Sequence, residues 1–232
     1  MKESPYSITR PRQTIFWTVV SALLLAITAK HLIPSTVTEM LGFITGGACV
    51  WLLTKQNIWN WPIGIANAVF FLILFWHARL FADSLLQVFY LVTGFIGWYW
   101  WLHGGKRKDE LPVQRTGAKK GLIILLIGVI STVLMHKYLV SVKDSAPFWD
   151  SITTVGSLLA QAMLTRKMIE NWHLWMAVDV IYVGLYASRH LYLTSVLYII
   201  FFAMCVSGLV DWRRDLAKAP QAAKPHLKEA RL

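Results

Sequence analysis

The chain has 232 residues, 56% hydrophobic and only 15% charged, with a mean hydropathy of +0.50. Soluble domains carry about 25% charged residues, so the composition excludes an ordinary soluble globule and indicates a membrane protein. The net charge of +11 does not indicate nucleic acid, because the basic residues are scattered over short segments between apolar runs without a recognition motif.

Eight apolar runs follow in chain order: Thr14–Leu32, Val37–Thr54, Trp61–Trp76, Ser84–Leu102, Gly121–Leu139, Phe148–Leu164, Trp172–Ala187 and Leu193–Val210. A hydrocarbon core of about 30 Å needs about 20 residues of helix. Backbone amides find no water there, and runs of this length without alternation satisfy themselves as helices. The expected fold is therefore an all-α integral membrane protein with eight transmembrane helices. Residues 1–36 form an N-terminal cytoplasmic segment and an extra helix, a retained anchor although Arg10 and Arg12 precede it as in a secretory leader. Pro34 ends that helix.

Three crossings occupy residues 37–102. The stretch 103–120, HGGKRKDELPVQRTGAKK, is the clearest boundary and is expected to be a solvated, basic cytoplasmic connector. A linker helix and external loop fill 121–146, three further crossings fill 147–212, and 213–232 is a basic cytoplasmic tail. Cys49 and Cys205 lie inside apolar runs, far apart in sequence and without ligand spacing, so neither metal nor disulfide is expected.

The segment LTKQNIWNW, Leu53–Trp61, returns later in the chain as LTRKMIENW, Leu164–Trp172. Leu53, Thr54, Ile58, Asn60 and Trp61 are identical to their counterparts, and the same register continues to Gly97/Gly208 and Trp101/Trp212. Two copies of a three-helix unit explain this. The single linker helix lets an odd-numbered triplet re-enter the membrane in the same sense, giving a 3+1+3 core of parallel repeats. With a cytoplasmic N-terminus, eight crossings bring the C-terminus to the same side, and most of the 23 basic residues fall there. That imbalance orients both termini towards the cytoplasm from an inner membrane.

Between such repeats a solute binds near the midplane, so polar residues inside the repeated helices are informative. Asn171, Trp175, Asp179, Tyr182 and Tyr186 share one helical face, and Asn60, Gly64, Asn67 and Phe71 share the corresponding one. Asp83, Gln87, Tyr90, Gly94 and Trp98 form a third stripe; Thr194, Tyr198, Phe201 and Cys205 form a fourth. Competing readings stand beside these. Trp59, Trp61, Trp100, Trp101, Trp172 and Trp212 sit near helix ends, where indoles anchor at the interface. Asn60 and Asn171 stand where caps occur. Asn67, Gln87 and Asp179 lie deeper, where a polar side chain needs an internal partner. Amides interleaved with aromatics suit a flat polar solute, including a cationic ring. A phosphate-binding glycine loop, a nucleophile with its base and a metal cluster are all missing from the sequence, so neither an enzyme nor a cofactor is expected.

The stretches IWNWPIGIANAVFF (Ile58–Phe71), LLQVFYLVTGFIGWYWW (Leu85–Trp101) and ENWHLWMAVDVIYVGLYASRHLYLTSVLYIIFF (Glu170–Phe202) resemble the PnuC family of nicotinamide riboside transporters. The resemblance covers about Met40–Trp212. It implies a fold related to SWEET sugar transporters, a homo-oligomer expected to be a trimer in membrane lipid, and facilitated diffusion of nicotinamide riboside. Trapping by a cytoplasmic kinase follows; related chains carry thiamine or riboflavin, and proton coupling is the other energetic option. Trp172 and Trp175 are the aromatic candidates for the solute, and Asn67, Gln87, Asn171, Asp179 and Tyr198 the hydrogen-bonding ones.

Overall fold

The apolar runs within the described residues close their own backbone hydrogen bonds, and the computed structural model is helical there accordingly. It describes residues 37–77, 79, 81–105, 108–190 and 192–222. Seven helices occur among the described residues: α1 Val37–Thr54, α2 Asn60–His77, α3 Phe81–His103, α4 Ala118–Ser141, α5 Pro147–Thr165, α6 Asn171–Ser188 and α7 Tyr192–Ala222. Asn60–His77, Ser84–His103, Ala118–Ser141 and Ser195–Ala217 are long and apolar enough to cross a membrane. The expected helix at Thr14–Leu32 lies outside the described residues, as do the side chains of Asp83 and Thr194. Helix α7 runs past Trp212, so residues 213–222 of the expected tail are helical.

The described residues form two compact units, divided between Trp98 and Tyr99. In the first, α1 packs on α2, and Gly94 and Gly97 of α3 bring that helix against Ile65 and Trp61. A side chain at either glycine would overlap the α2 residue, so the missing Cβ sets the approach. In the second unit α4 packs on α5, α5 on α6 and α6 on α7. Ala160, Met163, Val178 and Met204 are buried there, whereas α4 has no buried residue.

One turn occurs twice. Gln56 and Lys167, at matching positions of the two copies, both adopt the left-handed backbone, with φ of 53° and 47°. Their N–H groups donate to Leu53 O and Leu164 O at 3.0 and 2.9 Å. The Thr54 and Thr165 hydroxyls donate to the carbonyls of Trp51 and Ala162, at 2.8 and 2.7 Å. Asn60 Nδ2 donates to Asn57 O at 2.7 Å, and Asn171 Nδ2 to Met168 O at 2.6 Å. Arg79 and His190, also matched by the repeat register, share a left-handed φ of 58° and 59°. The two Asn amides donate backwards to a carbonyl. A cap accepts from the first-turn amides, so these residues close the turn and do not cap the helix.

The expected connector at 103–120 is docked in part, while most of its described residues are exposed. Leu111 and Val113 are buried, and Gln114 bridges the α5–α6 turn: its N–H donates to Lys167 O and its carbonyl accepts from Ile169 N–H, both at 3.0 Å. Its side chain donates to Arg166 O at 2.6 Å. Thr116 donates through N–H and hydroxyl to Glu170 Oε2 at 2.9 and 2.7 Å. Leu111 and Val113, spaced to face one way, gain from burial while Asp109, Glu110 and Arg115 stay exposed.

Candidate functional site

On α6, Asp179, Tyr182 and Tyr186 follow one another at helical spacing and share a face. On α7, Tyr198, Phe201 and Cys205 do the same. Packing of the two helices brings the faces together. Tyr198 meets Tyr182 at 4.6 Å between ring centroids and Tyr186 at 5.4 Å, the latter pair stacked, and Phe201 edges onto Tyr198 at 5.8 Å. Deeper along the pair, Cys205 Sγ donates to Asp179 Oδ2 at 3.5 Å. Thr153 of α5 comes within hydrogen-bonding reach of the Tyr182 hydroxyl. Its own hydroxyl donates to Trp149 O at 3.0 Å.

Asp179 is 4% exposed. A thiol is a weak donor, and among the described residues no basic side chain is paired with the carboxylate. A buried carboxylate left with so little compensation is costly and favours a cation or a strong donor arriving from outside the protein. The tyrosine faces beside it suit the same visitor, since aromatic rings attract cations.

The other candidates are placed differently. Trp175 is half-buried on α6, one turn before Asp179. Trp172 has no exposed surface; its ring packs edge-on against Trp212 at 5.3 Å and against Gly208, with Trp101 completing the cluster at 5.9 Å from Trp212. Trp61 is likewise buried, so of the tryptophans expected at the interface, Trp61, Trp101, Trp172 and Trp212 form cores, while Trp59 is 63% exposed. Asn171 is wholly buried in its turn, with Oδ1 lacking a hydrogen-bond partner. In the first unit, Asn67 Nδ2 donates to Thr45 Oγ1 at 2.6 Å, and Gln87 is half-buried on α3.

The two units differ chemically at matching positions. Phe71 and Phe75 stack at 5.5 Å, and their counterparts in the second copy, Tyr182 and Tyr186, stack at 5.6 Å, each pair at 27°. Asp179 corresponds to Ala68 and Cys205 to Gly94. At Asp179, Tyr182 and Tyr186 the second unit therefore carries a carboxylate and hydroxyls where the first is apolar, whereas Tyr198 corresponds to Gln87. Thr153 was not singled out by the sequence reading. The clue was the run of hydroxyls at Ser151, Thr153, Thr154 and Ser157 within an apolar helix.

Residues 36–214 match the family described as Nicotinamide mononucleotide transporter. The chain belongs to that family. Among its relatives is the Nicotinamide riboside transporter PnuC of Escherichia coli strain K12, to which this chain is 30% identical over 81% of its length and 90% of the relative's. The Riboflavin/roseoflavin transporter RibM of Streptomyces davaonensis is 27% identical, over 80% and 89% of the two chains. A solved structure, the crystal structure of the Vitamin B3 transporter PnuC, superposes with a TM-score of 0.73 over 92% of this chain and 95% of that one, at 18% identity. The fold is thus that of this transporter family.

Proposed function

We propose that this protein carries nicotinamide riboside across the membrane by facilitated diffusion, with cytoplasmic phosphorylation trapping the solute. Asp179 carries the reading: a buried carboxylate whose partner among the described residues is a thiol, flanked by tyrosine rings, suits the cationic pyridinium of that riboside. Tyr198 and Trp175 supply ring faces and a hydroxyl, Asn67 and Gln87 are the amides offered by the first repeat, and Asn171 with Trp172 holds the start of α6. The recurring turns support an eight-helix, 3+1+3 architecture of parallel repeats like that of SWEET transporters, with both termini cytoplasmic in an inner membrane. A homotrimer without enzymatic activity completes the proposal.

The test is uptake of labelled riboside into proteoliposomes. Asp179→Asn is expected to reduce the initial rate at least tenfold, with Gln87→Ala and Trp175→Ala also impaired. Uptake undiminished in the triple variant would refute the assignment. The relationship to a riboflavin transporter favours one alternative cargo. Riboflavin has an uncharged ring system, so a riboflavin carrier would tolerate Asp179→Asn, and excess unlabelled riboflavin would abolish riboside uptake.

A further inference from the structure

Helix α4 lies against α5 with its apolar residues largely uncovered; Leu125 and Val129 are 62% and 56% exposed. The helices approach closely at Gly128, where a Cβ would come within 3.0 Å of Leu159 Cδ1. Beside this crossing runs a groove of about 700 Å³, walled by residues such as Ile124, Val133, Ile152 and Leu159 and closed at one end by Thr116, Glu170 and His173. From Gly121 to Val133 it extends about 18 Å along α4, close to the depth of one leaflet, half of about 30 Å.

The polar end is basic. Arg213 Nη2 lies 3.5 Å from His173 Nε2, and a guanidinium can only donate. Arg115 precedes Thr116, and Lys119 and Lys120 precede Gly121, all three exposed. Of the acids at this end, Glu170 keeps its charge while its Oε2 takes two bonds from Thr116, and Asp211 pairs with Arg214 at 3.7 Å. Gly117, at the start of α4, makes no side-chain cap, so first-turn amides add to the positive field.

We propose that an anionic glycerophospholipid occupies this groove, one acyl chain lying along α4 and α5 and its phosphate meeting the basic rim. The site is separate from the Asp179 cluster, and its occupancy is read without reference to the cargo.

Native mass spectrometry of the full-length protein, exchanged with equal amounts of phosphatidylglycerol and phosphatidylcholine of matched chains, tests it. At least fivefold enrichment of phosphatidylglycerol is expected. Val129→Trp, which fills the groove, should remove the bound lipid, and Arg115→Gln with Lys119→Gln and Lys120→Gln should bring the two lipids to parity. The charge variant alters exposed side chains only, so it decides the matter if Val129→Trp fails to fold. Parity in the unaltered protein, enrichment unaffected by the charge variant, or lipid retained by a folded Val129→Trp overturns the proposal. So does equal binding of glycerol phosphate, which would make the site one for free phosphate. Loss of self-association in Val129→Trp with lipid still bound also overturns it, assigning the groove to a second copy.

Discussion

The ring of Trp172 fills the space that a side chain on Gly208 would take, with an ideal Cβ only 2.5 Å from Cη2. In the first unit their counterparts, Trp61 and Gly97, make the same contact. A large flat ring against a bare backbone locks the second and third helices of each triplet. Trp212 and Trp101 hold the Trp172 ring from other sides, so it has little freedom to yield.

Gly208→Ala should therefore destabilise the protein by about 1–3 kcal/mol, although alanine is the better helix former. Gly184→Ala is the control: its Cβ would meet nothing within 4 Å, and propensity predicts a gain of up to about 1 kcal/mol. Thermal unfolding in detergent should show opposite shifts for the two variants.

Removing the Glu170 carboxylate should release the segment that precedes α4. Glu170→Ala deletes the acceptor of both Thr116 bonds, at a cost of about 1.5–3 kcal/mol for bonds to a charged group. Faster tryptic cleavage at Lys108 and Arg115 is expected; an unchanged cleavage rate would place the clamp elsewhere.

Stability should rise with pH because of Lys167. Burial pushes its ammonium down to about 8, against the attraction of Glu110 and Asp215, while the Trp101 face lies 4.4 Å from Nζ. An unfolded lysine titrates near 10.4. Between about 8 and 10.4 the unfolded chain holds a proton that the folded chain has released, so stability climbs through that window and is flat below it. The full span corresponds to about 3 kcal/mol. Lys167→Met should abolish the slope between pH 8 and 10 in denaturant titrations, and a slope kept by the variant would assign it to another group.

Within the proposed cargo site, Tyr198→Phe keeps the ring stack and should retain most riboside uptake. Tyr198→Ala opens the contacts to Tyr182 and Tyr186 and should lower the rate about tenfold or more, since aromatic contacts with a cation contribute about 1–2 kcal/mol. Comparable rates for the two variants would remove the ring from the site.

Passive flow makes a separate prediction. With a pH gradient imposed on sealed vesicles, internal riboside should level off at the external concentration. Accumulation above that level would require coupling to protons.

The sequence by itself determined the helices, because membrane solvent leaves an apolar run no other way to satisfy its backbone; Val37–Thr54 was read with both of its ends in place. It also determined the recurrence of one unit in constant register, and with it the pairing of Asn60 with Asn171 and of Gly97 with Gly208. The face shared by Asp179, Tyr182 and Tyr186 was legible too, since helical spacing alone sets it. Only the tertiary structure decided which tryptophans are core. Indole is both apolar and a donor, so its place near a helix end fits an interface or a packed centre equally well. Gly208 lies a helix away from Trp172, and no local pattern joins them. The docking of Leu111 and Val113 and the meeting of Cys205 with Asp179 were likewise settled by how separate segments pack, because burial depends on what arrives from elsewhere in the chain.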